Sequence, residues 1–201
     1  MTAMTDAGDL PAHGVLPARI DVPGLEVRTW GESDVDDLAE AVRESLEHLR
    51  PWMPWIAQEP LPRHERRDLI VRWERERLAG RDAVYAILRG GRVVGGPGAH
   101  HRGAPDGLEI GYWLRPDAQG AGIVTSVVRG LTTALLALPG ITHVEIRMDE
   151  ANARSAAVPP RCGYRLVDRQ TRPPEAPAES GQVLLWRIGQ DPTPAGPDPS
   201  P

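Results

Sequence analysis

The stretch Asp117–Ser126, DAQGAGIVTS, places two glycines directly before a β-branched apolar run that no proline interrupts. From Val124 onward, apolar residues recur at helical spacing as far as Leu138, which predicts a helix. The first turn of a helix carries unpaired N–H groups and about half a positive charge, so it attracts anions. Glycines ahead of that turn let an anion approach the backbone without meeting a Cβ atom. The stretch therefore predicts either an anion-binding loop or a plain turn between a strand and a helix.

Two familiar phosphate-binding motifs fit this stretch poorly. A P-loop ends in Gly-Lys-Ser/Thr, and the chain contains no lysine. The pattern Gly120-x-Gly122-x-x-Thr125 nearly spells the dinucleotide-binding motif, but RPDAQ separates these glycines from the preceding strand. The acidic residue that this motif needs about 20 positions later is also poorly placed, because Glu145 lies within a predicted strand.

Composition limits the class of protein. The chain has 201 residues, 40% of them hydrophobic and 25% charged, which is typical of one soluble domain with tails. Its net charge of −5 is too acidic for binding to a nucleic-acid duplex. No apolar run approaches the roughly 18 residues of a membrane span. We therefore expect neither nucleic acid nor a membrane as a partner.

The N-terminus bears on the compartment, and the cysteine and histidine residues bear on metal binding. MTAMTDAGDLPAHG lacks the basic start and the apolar run of a signal peptide, which favours the cytoplasm. One cysteine excludes an internal disulfide framework, and the six histidines show no metal-ligand spacing. The sequence thus predicts no metal site.

Strands and helices alternate between two tails. Residues 1–20 and the proline-rich residues 190–201 are predicted to be disordered, which leaves one domain over residues 21–189. Its fold class is α/β (α+β). Strand patterns occur in LEVRTW, AVYAIL, RVVGG, LEIGYWL, HVEIRMD, YRLVD and VLLWRI, and helical patterns in SDVDDLAEAVRESLEHL, residues 63–78, the run after Gly122 and the residues after Asn152.

Four stretches of the chain resemble the GNAT superfamily of acyl-CoA-dependent N-acyltransferases, in its RimJ/RimL-like branch. They are LRPWMPWI, EIGYWLRPDAQGAGIVT, VEIRMDEANARSAAV and RCGYRL, and with the matching element order they cover roughly residues 25–188. The resemblance implies a central, mostly antiparallel mixed sheet of about six to seven strands, with a splayed central pair and about four flanking helices. It also implies an enzyme that moves an acetyl group from acetyl-CoA to a primary amine by direct attack, without a metal.

The resemblance assigns the binding of acetyl-CoA, or a related acyl-CoA, to two segments. Main-chain amides of residues 119–124 would grip the diphosphate, although Val124 replaces the usual Gly or Ala and Ala121 replaces a basic residue. A bulge would splay the central strand and leave amides near Trp113 and Leu114 for the thioester and the pantetheine arm, which Asn152 would contact. The predicted set is Trp113, Leu114, Gln119, Gly120, Ala121, Gly122, Ile123, Val124, Asn152 and Ser155.

The catalytic residues rest on the same resemblance. Ser155 is predicted to protonate the leaving thiolate, and its alternative role is that of a polar residue in a first helical turn. Glu109, acting through a water, and Glu175 are both candidates for the base, and each could instead be a solvated carboxylate. Two prolines, Pro159–Pro160, are expected to shorten or kink the helix that carries Ser155.

The acceptor is predicted to be a protein or peptide N-terminus. An α-amino group, with a pKa near 8, loses its proton far more easily than a lysine side chain near 10.4. By the same resemblance, Trp52 and Trp55 would line the acceptor entrance, and Tyr112 is assigned to the acceptor with them; packing alone is their alternative. A small amine such as an antibiotic or a polyamine, or a catalytically idle acyl-CoA-binding module, stays open, as does a homodimer.

Overall fold

Eight strands form one sheet in the order β1-β2-β3-β4-β5-β6-β8-β7 in the computed structural model, which describes residues 14–102 and 104–190. The strands are β1 (Arg19–Val22), β2 (Leu25–Thr29), β3 (Ala83–Arg89), β4 (Arg92–His100), β5 (Gly107–Leu114), β6 (His143–Asp149), β7 (Arg165–Thr171) and β8 (Gln182–Gly189). The helices are α1 (Val35–Arg43), α2 (Leu46–Leu49), α3 (Arg63–Leu78), α4 (Ile123–Leu136), α5 (Ala153–Ala156) and α6 (Val158–Arg161). Short 3-10 segments lie at Glu32–Asp34, Pro54–Gln58 and Pro116–Ala118.

The sheet opens between its two central strands. β5 and β6 run parallel and pair only from Gly107↔His143 to Glu109↔Glu145, after which they separate. Every other pair of neighbouring strands in the described sheet is antiparallel. The mixed sheet and its splayed central pair are confirmed.

The cause of the splay differs from the predicted bulge. β5 keeps a continuous register with β4 from Glu109↔His100 to Leu114↔Gly95. A register shift lies one pair away, where Ile87 of β3 pairs with Gly95 and Leu88 with Val93, so that Val94 of β4 is the extra residue. A second shift lies between Leu166 and Asp168 of β7, away from the splay. The opening therefore arises because β6 diverges from a regular β5, not because β5 bulges.

The sheet has one strand more than the upper expected number, and the addition is β1 at its edge. The predicted disordered segment reached residue 20, yet Arg19 and Ile20 belong to β1, and Leu16 is fully buried. Ile20 and Val22 pack into the core and anchor this short strand, while Arg77 Nη1 donates to the carbonyl oxygen of Leu16. The ordered domain thus begins before residue 21. The predicted disorder of residues 1–13 and 191–201 lies outside the described residues.

Apolar residues bury both faces of the sheet. The stripe of α4 (Val127, Val128, Leu131 and Leu135) is completely buried against one face. α1 and α3 cover the other face around Val35, Leu38 and Ile70. Each such side chain contributes about 1.5–3 kcal/mol by leaving water, so the two layers hold the open end of the sheet in place. Among the described helices, none has the length and apolarity of a membrane span.

Pro159 and Pro160 break the helix after Asn152, as predicted. The result is two short helices, with the prolines in the first turn of α6. The N–H groups of a first turn form no hydrogen bonds within the helix, so prolines, which lack this group, are tolerated there. Ser155 lies in α5, before the break, and keeps its helical environment.

Candidate functional site

A cavity of about 970 Å³ lies at the open end of β5 and β6. It reaches both faces of the sheet, because Tyr112 packs with the α4 layer and Trp113 with the α1–α3 layer. Its lining residues are His48, Leu49, Trp52, Met53, Tyr112, Trp113, Leu114, Gln119, Gly120, Gly122, Ile123, Val124, Thr125, Ala151, Asn152, Ala153, Arg154, Ser155, Ala157, Val158 and Arg161. The structure therefore brings most of the predicted site residues together.

Residues 119–122, the glycine loop, leave the start of α4 open to this cavity. Gly120 and Gly122 have φ angles of 77° and 73°, a conformation that L side chains adopt at a cost. Gly122 is the residue before the first turn of α4 and offers no side chain to cap it. The first N–H groups of the helix are consequently available to a ligand or to water. Ala121, although in the predicted set, does not line the cavity.

Two arginine side chains line the cavity, and no described lining residue carries a carboxylate. Arg154 Nη1 donates to Gln119 Oε1 at 2.7 Å, which places a guanidinium beside the glycine loop. Arg161 lines the same cavity. Sequence analysis missed both arginines. Arg154 could have been found, because it stands inside the ANARS stretch next to Ser155, whereas nothing local distinguishes Arg161.

His48 completes a short chain of polar contacts across the cavity. Its Nε2 contacts the Nε2 of Gln119, whose oxygen is already occupied by Arg154. The amide nitrogen therefore donates and the ring nitrogen accepts. Burial, and then the charge of Arg154, hold the pKa of His48 below its usual value, so the ring is neutral at pH 7. No sequence motif pointed to this histidine.

Acidification is expected to destabilise the protein through His48. Because its folded pKa lies below the unfolded value of about 6.5, its contribution to stability is complete above that pH and is lost as the pH falls toward the folded pKa. Urea unfolding at about pH 7.5 and about pH 5.5 should show a smaller loss of stability for His48→Gln than for the wild type. The exposed His64 provides the control, and an equal loss in His48→Gln and His64→Gln would contradict the expectation.

Ser155 and Tyr112 form a hydroxyl pair in the cavity wall. Ser155 Oγ donates to the Tyr112 hydroxyl at 3.2 Å, and that hydroxyl donates to the Ser155 carbonyl oxygen at 3.1 Å. Asn152 Oδ1 accepts from Ser155 N at 3.2 Å and so caps α5. Burial raises the pKa of Tyr112 to about 12, so the phenol stays protonated at neutral pH and can donate a hydrogen bond.

The backbone of β5 presents alternate residues to the open gap. Arg115 N donates to Val94 O in β4, and successive strand residues face opposite neighbours. Trp113 therefore turns its backbone groups toward β4, while Tyr112 and Leu114 turn theirs toward the gap. The amide of Leu114 thus faces the gap, where the thioester and the pantetheine arm are predicted to lie. Trp113 instead contributes its side chain to the cavity.

Tryptophans form the opposite wall. Trp52 lines the cavity; Trp55 does not, but its ring packs on Trp113 with centroids 6.3 Å apart and planes at 60°. Gly96 makes room for Trp113, because a Cβ there would lie 3.0 Å from the indole Nε1 and 2.8 Å from Tyr85 O. The aromatic wall thus depends on a glycine in the neighbouring strand.

Neither of the two predicted bases lines the cavity. Glu109 Oε2 accepts from Arg147 Nε at 3.0 Å across the base of the splay. Glu175 is exposed, and the structure holds it through its backbone N, which donates to Glu179 Oε2. Either carboxylate would reach the cavity only through water. Across the described residues, no group of three or more His, Cys, Asp or Glu residues could hold a metal ion.

The chain is similar to known proteins in both sequence and structure. The family model for the Acetyltransferase (GNAT) domain matches residues 25–165. A curated Bacillus subtilis (strain 168) protein, "Putative ribosomal N-acetyltransferase YdaF", is 28% identical over 142 residues, which are 70% of this chain and 77% of that protein.

Among solved structures, RimL, a ribosomal L7/L12 alpha-N-protein acetyltransferase in complex with coenzyme A, matches with a TM-score of 0.78 and 22% identity over 85% of this chain and 97% of its own. The microcin C7 self-immunity acetyltransferase MccE, in complex with acetyl-CoA and AMP, also gives 0.78, with 18% identity over 88% and 99%. Mycobacterium smegmatis RimJ gives 0.72, with 21% identity over 88% of both chains. At these identities the structures establish a shared fold.

Proposed function

Because the chain belongs to the GNAT acetyltransferase family, we propose that it transfers the acetyl group of acetyl-CoA to the α-amino group of a protein or peptide. Family membership makes it a transferase with acetyl-CoA as co-substrate. The observation that supports the proposal best is one cavity that joins an uncapped helix start, a Ser155–Tyr112 hydroxyl pair and an aromatic wall.

The donor half of the cavity suits acetyl-CoA. The free amides at the start of α4 and the guanidiniums of Arg154 and Arg161 are the groups that a diphosphate requires. The gap-facing backbone of Tyr112 and Leu114 can pair with the amides of the pantetheine arm, as a strand pairs with its neighbour. That pairing would carry the thioester toward Ser155.

The transfer then needs one bond to form and one to break. The neutral amine attacks the thioester carbon, the C–S bond breaks, and the nitrogen loses a proton while the sulfur gains one. A gap-facing N–H of β5 would stabilise the oxyanion. Ser155 and the protonated Tyr112 would supply the hydrogen bond, and then the proton, to the departing thiolate.

The charge of the cavity favours an N-terminus over a polyamine. A multiply charged amine binds best beside carboxylates, whereas the described lining holds Arg154 and Arg161 and no acidic residue. A peptide N-terminus has one amine with a pKa near 8 and loses its charge readily. Such an acceptor agrees with YdaF, named as a "Putative ribosomal N-acetyltransferase", and with RimL, which acetylates the α-amino group of ribosomal protein L7/L12. Since ribosomal proteins are made in the cytoplasm, we place the enzyme there.

Glu109 and Glu175 stay predictions for the base. Because both lie outside the cavity lining, each would act through a chain of water. The pH profile of kcat/KM separates them: in Glu109→Gln or Glu175→Gln, loss of the acidic limb of the profile identifies the base. An unchanged profile in both variants removes the two carboxylates from the mechanism.

A thiol-release assay tests the proposed function. Acetyl-CoA is supplied with peptides that have a free N-terminus, with N-blocked peptides that contain lysine, and with spermidine or an aminoglycoside. We expect turnover with the free N-termini and at least about a hundredfold less with the N-blocked lysine peptides, as the difference of more than two pKa units between the α-amino group and the lysine side chain implies. Spermidine and the aminoglycoside should also react more slowly, because the described lining offers no carboxylate to a multiply charged amine. Faster turnover of a small amine would establish the alternative acceptor. Binding of acetyl-CoA without amine-dependent release would establish an idle binding module.

Arg154→Gln is expected to raise the Kd of acetyl-CoA about tenfold, or about 1.4 kcal/mol. Arg154 stands beside the loop whose own basic position is Ala121, so it replaces the missing charge contact with phosphate. Titration calorimetry measures the change, and Ala121→Arg in the Arg154→Gln background should restore part of it. Arg72→Gln, on the exposed side of α3, is the control. Equal affinities of Arg154→Gln and wild type would contradict this role.

A further inference from the structure

Asp149, the last residue of β6, shares one carboxylate among four donors. Its Oδ1 accepts from Ala151 N at 2.9 Å, from Ser180 N at 3.0 Å and from Ser180 Oγ at 2.8 Å. Its Oδ2 accepts from Gly181 N at 2.8 Å. The residue is only 6% exposed. Burial alone would raise the pKa of Asp149, but the bonds from Ser180, Ala151 and Gly181 hold it below its usual value, so the group remains a carboxylate.

One side of this carboxylate leads to Ser155. The backbone turns directly after β6, where Asn152 N donates to Asp149 O at 3.0 Å. The bond from Ala151 N to the Asp149 side chain closes the same turn. Asn152 then caps α5 at Ser155 N. The position of the Ser155 hydroxyl against Tyr112 therefore depends on how Asp149 shapes residues 150–152.

The other side leads to the aromatic wall, whose Trp52 is predicted to bind the acceptor. Residues 172–181 form a loop whose ends meet where Arg172 N donates to Gly181 O at 2.9 Å. Within this loop, Ala178 N donates to Pro51 O at 3.0 Å, next to Trp52 of the cavity. Asp149 holds the loop at Ser180 and Gly181. The loop therefore connects the Asp149 carboxylate with the segment that carries the aromatic wall.

We propose that Asp149 is a positioning residue that couples the aromatic wall, through the loop 172–181, to the leaving-group side of the reaction at Ser155. The proposal rests on the acyl transfer proposed above. Because both segments are bonded to the same side chain, a displacement of the loop is transmitted to the turn before α5. The position of the bound acceptor and the position of Ser155 therefore change together.

Asp149→Asn tests the coupling, because the amide keeps the shape but turns an acceptor into a donor that opposes an N–H group. We expect kcat to fall about tenfold and the KM of the peptide acceptor to rise about tenfold, a size typical of a small misplacement of catalytic groups. The Kd of acetyl-CoA should rise less than kcat falls, because Asp149 bonds Ala151, Ser180 and Gly181 and not the amides at the start of α4, while Arg154 lies only a few residues beyond the turn. Asp106→Asn is the matched control. Its carboxylate also holds a side chain, Thr142, but near the other end of β6, and neither constant should change.

Two further results separate coupling from plain structural support. Ser180→Ala removes one bond on the loop side only, and coupling predicts that it lowers kcat about threefold in addition to raising KM. In the Ser155→Ala background, Asp149→Asn should lose its effect on kcat, because the group that it positions is gone. A change of KM alone in Ser180→Ala, or full additivity of Asp149→Asn with Ser155→Ala, would overturn the proposal.

Hydrogen exchange gives a readout that does not need activity. In Asp149→Asn, the amides of residues 150–155 and of residues 175–181 should lose protection together, whereas Asp106→Asn should leave both unchanged. Loss of protection in one segment only would overturn the coupling. If the wild type acetylated no amine, the proposed function would fail, while the exchange result would still decide the coupling. If Asp149→Asn did not fold, the kcat of Ser180→Ala would decide it.

Discussion

Ser155→Ala is expected to lower kcat about a hundredfold, or about 2.7 kcal/mol of transition-state stabilisation, while the Kd of acetyl-CoA changes less than about twofold. The reason is the hydroxyl pair: Ser155 Oγ and the Tyr112 hydroxyl lie 3.2 Å apart in the cavity wall. A hydrogen bond to sulfur matters only when the C–S bond breaks, so its loss affects kcat more than ground-state binding. The methyl group of alanine leaves the Asn152 cap on the Ser155 backbone N intact.

Tyr112→Phe and the double variant complete the argument. If the two hydroxyls act as one donor unit, the double variant should lose little more than either single variant. Tyr164→Phe is the control. Its hydroxyl also pairs with a hydroxyl, Thr132 Oγ1 at 2.6 Å, and burial likewise raises its pKa, but it does not line the cavity. Tyr164→Phe should cost about 1 kcal/mol of stability and no activity. Retention of wild-type kcat in Ser155→Ala and Tyr112→Phe would contradict the assignment.

Local sequence patterns specified the regular elements well. The charged helix predicted over residues 63–78 is α3 with the same bounds, and the glycine pair 90–91 forms the turn between β3 and β4. Both depend on interactions between near neighbours, which a periodicity captures. β1 was missed, because four residues give too short a pattern and their burial comes from contacts with α4.

The helix predicted over SDVDDLAEAVRESLEHL shows what a periodicity omits. The chain forms α1 and α2 with an interruption at Glu44–Ser45. Ser45 is fully buried, and its Oγ donates to Ala41 O at 2.7 Å. Such a bond competes with the helical backbone pattern. His48 lies in α2, after the interruption, and lines the cavity, although no sequence motif predicts this position.

The site residues also fall into two groups: those that a local motif predicts and those that only tertiary contacts place. The glycine loop, Asn152 and Ser155 are motif residues, and their placement follows from a short stretch of chain. The partners of Glu109 and Asp149 are remote in sequence: Arg147 Nε for the first, and Ser180 and Gly181 for the second. The sequence does not distinguish a carboxylate that faces solvent from one that faces an arginine or a backbone turn. Tertiary contacts alone decide which of these roles it has.

Gly122→Val is expected to weaken acetyl-CoA binding at least about a hundredfold, or about 2.7 kcal/mol. Gly122 has φ 73°, and a β-branched residue does not adopt this conformation without strain. Nothing lies within 4 Å of a Cβ built there, because the cavity occupies that space. The valine side chain would therefore enter the region where we propose that the diphosphate binds, and the strained backbone would turn the first amides of α4 away from it.

Gly24→Val separates this effect from backbone strain. Gly24 has φ 76° and equally open surroundings, but it lies in the β1–β2 turn, outside the cavity lining. Both valine variants should lose a similar stability, about 1–2 kcal/mol. Calorimetric titration of the folded proteins should show wild-type affinity for acetyl-CoA in Gly24→Val only. Equal affinity in Gly122→Val would mean that the start of α4 does not hold the diphosphate.

A truncated donor locates the loss within the ligand. Acetylpantetheine carries the same thioester without the diphosphate, so the glycine loop has nothing to bind in it. Its slow turnover should be nearly the same in Gly122→Val and in the wild type, because Ser155, Tyr112 and the gap-facing amide of Leu114 are unchanged. If Gly122→Val lowered the turnover of both donors equally, the defect would lie at the thioester and not at the phosphates. The comparison therefore assigns the energy of donor binding to one end of the cavity and the chemistry to the other.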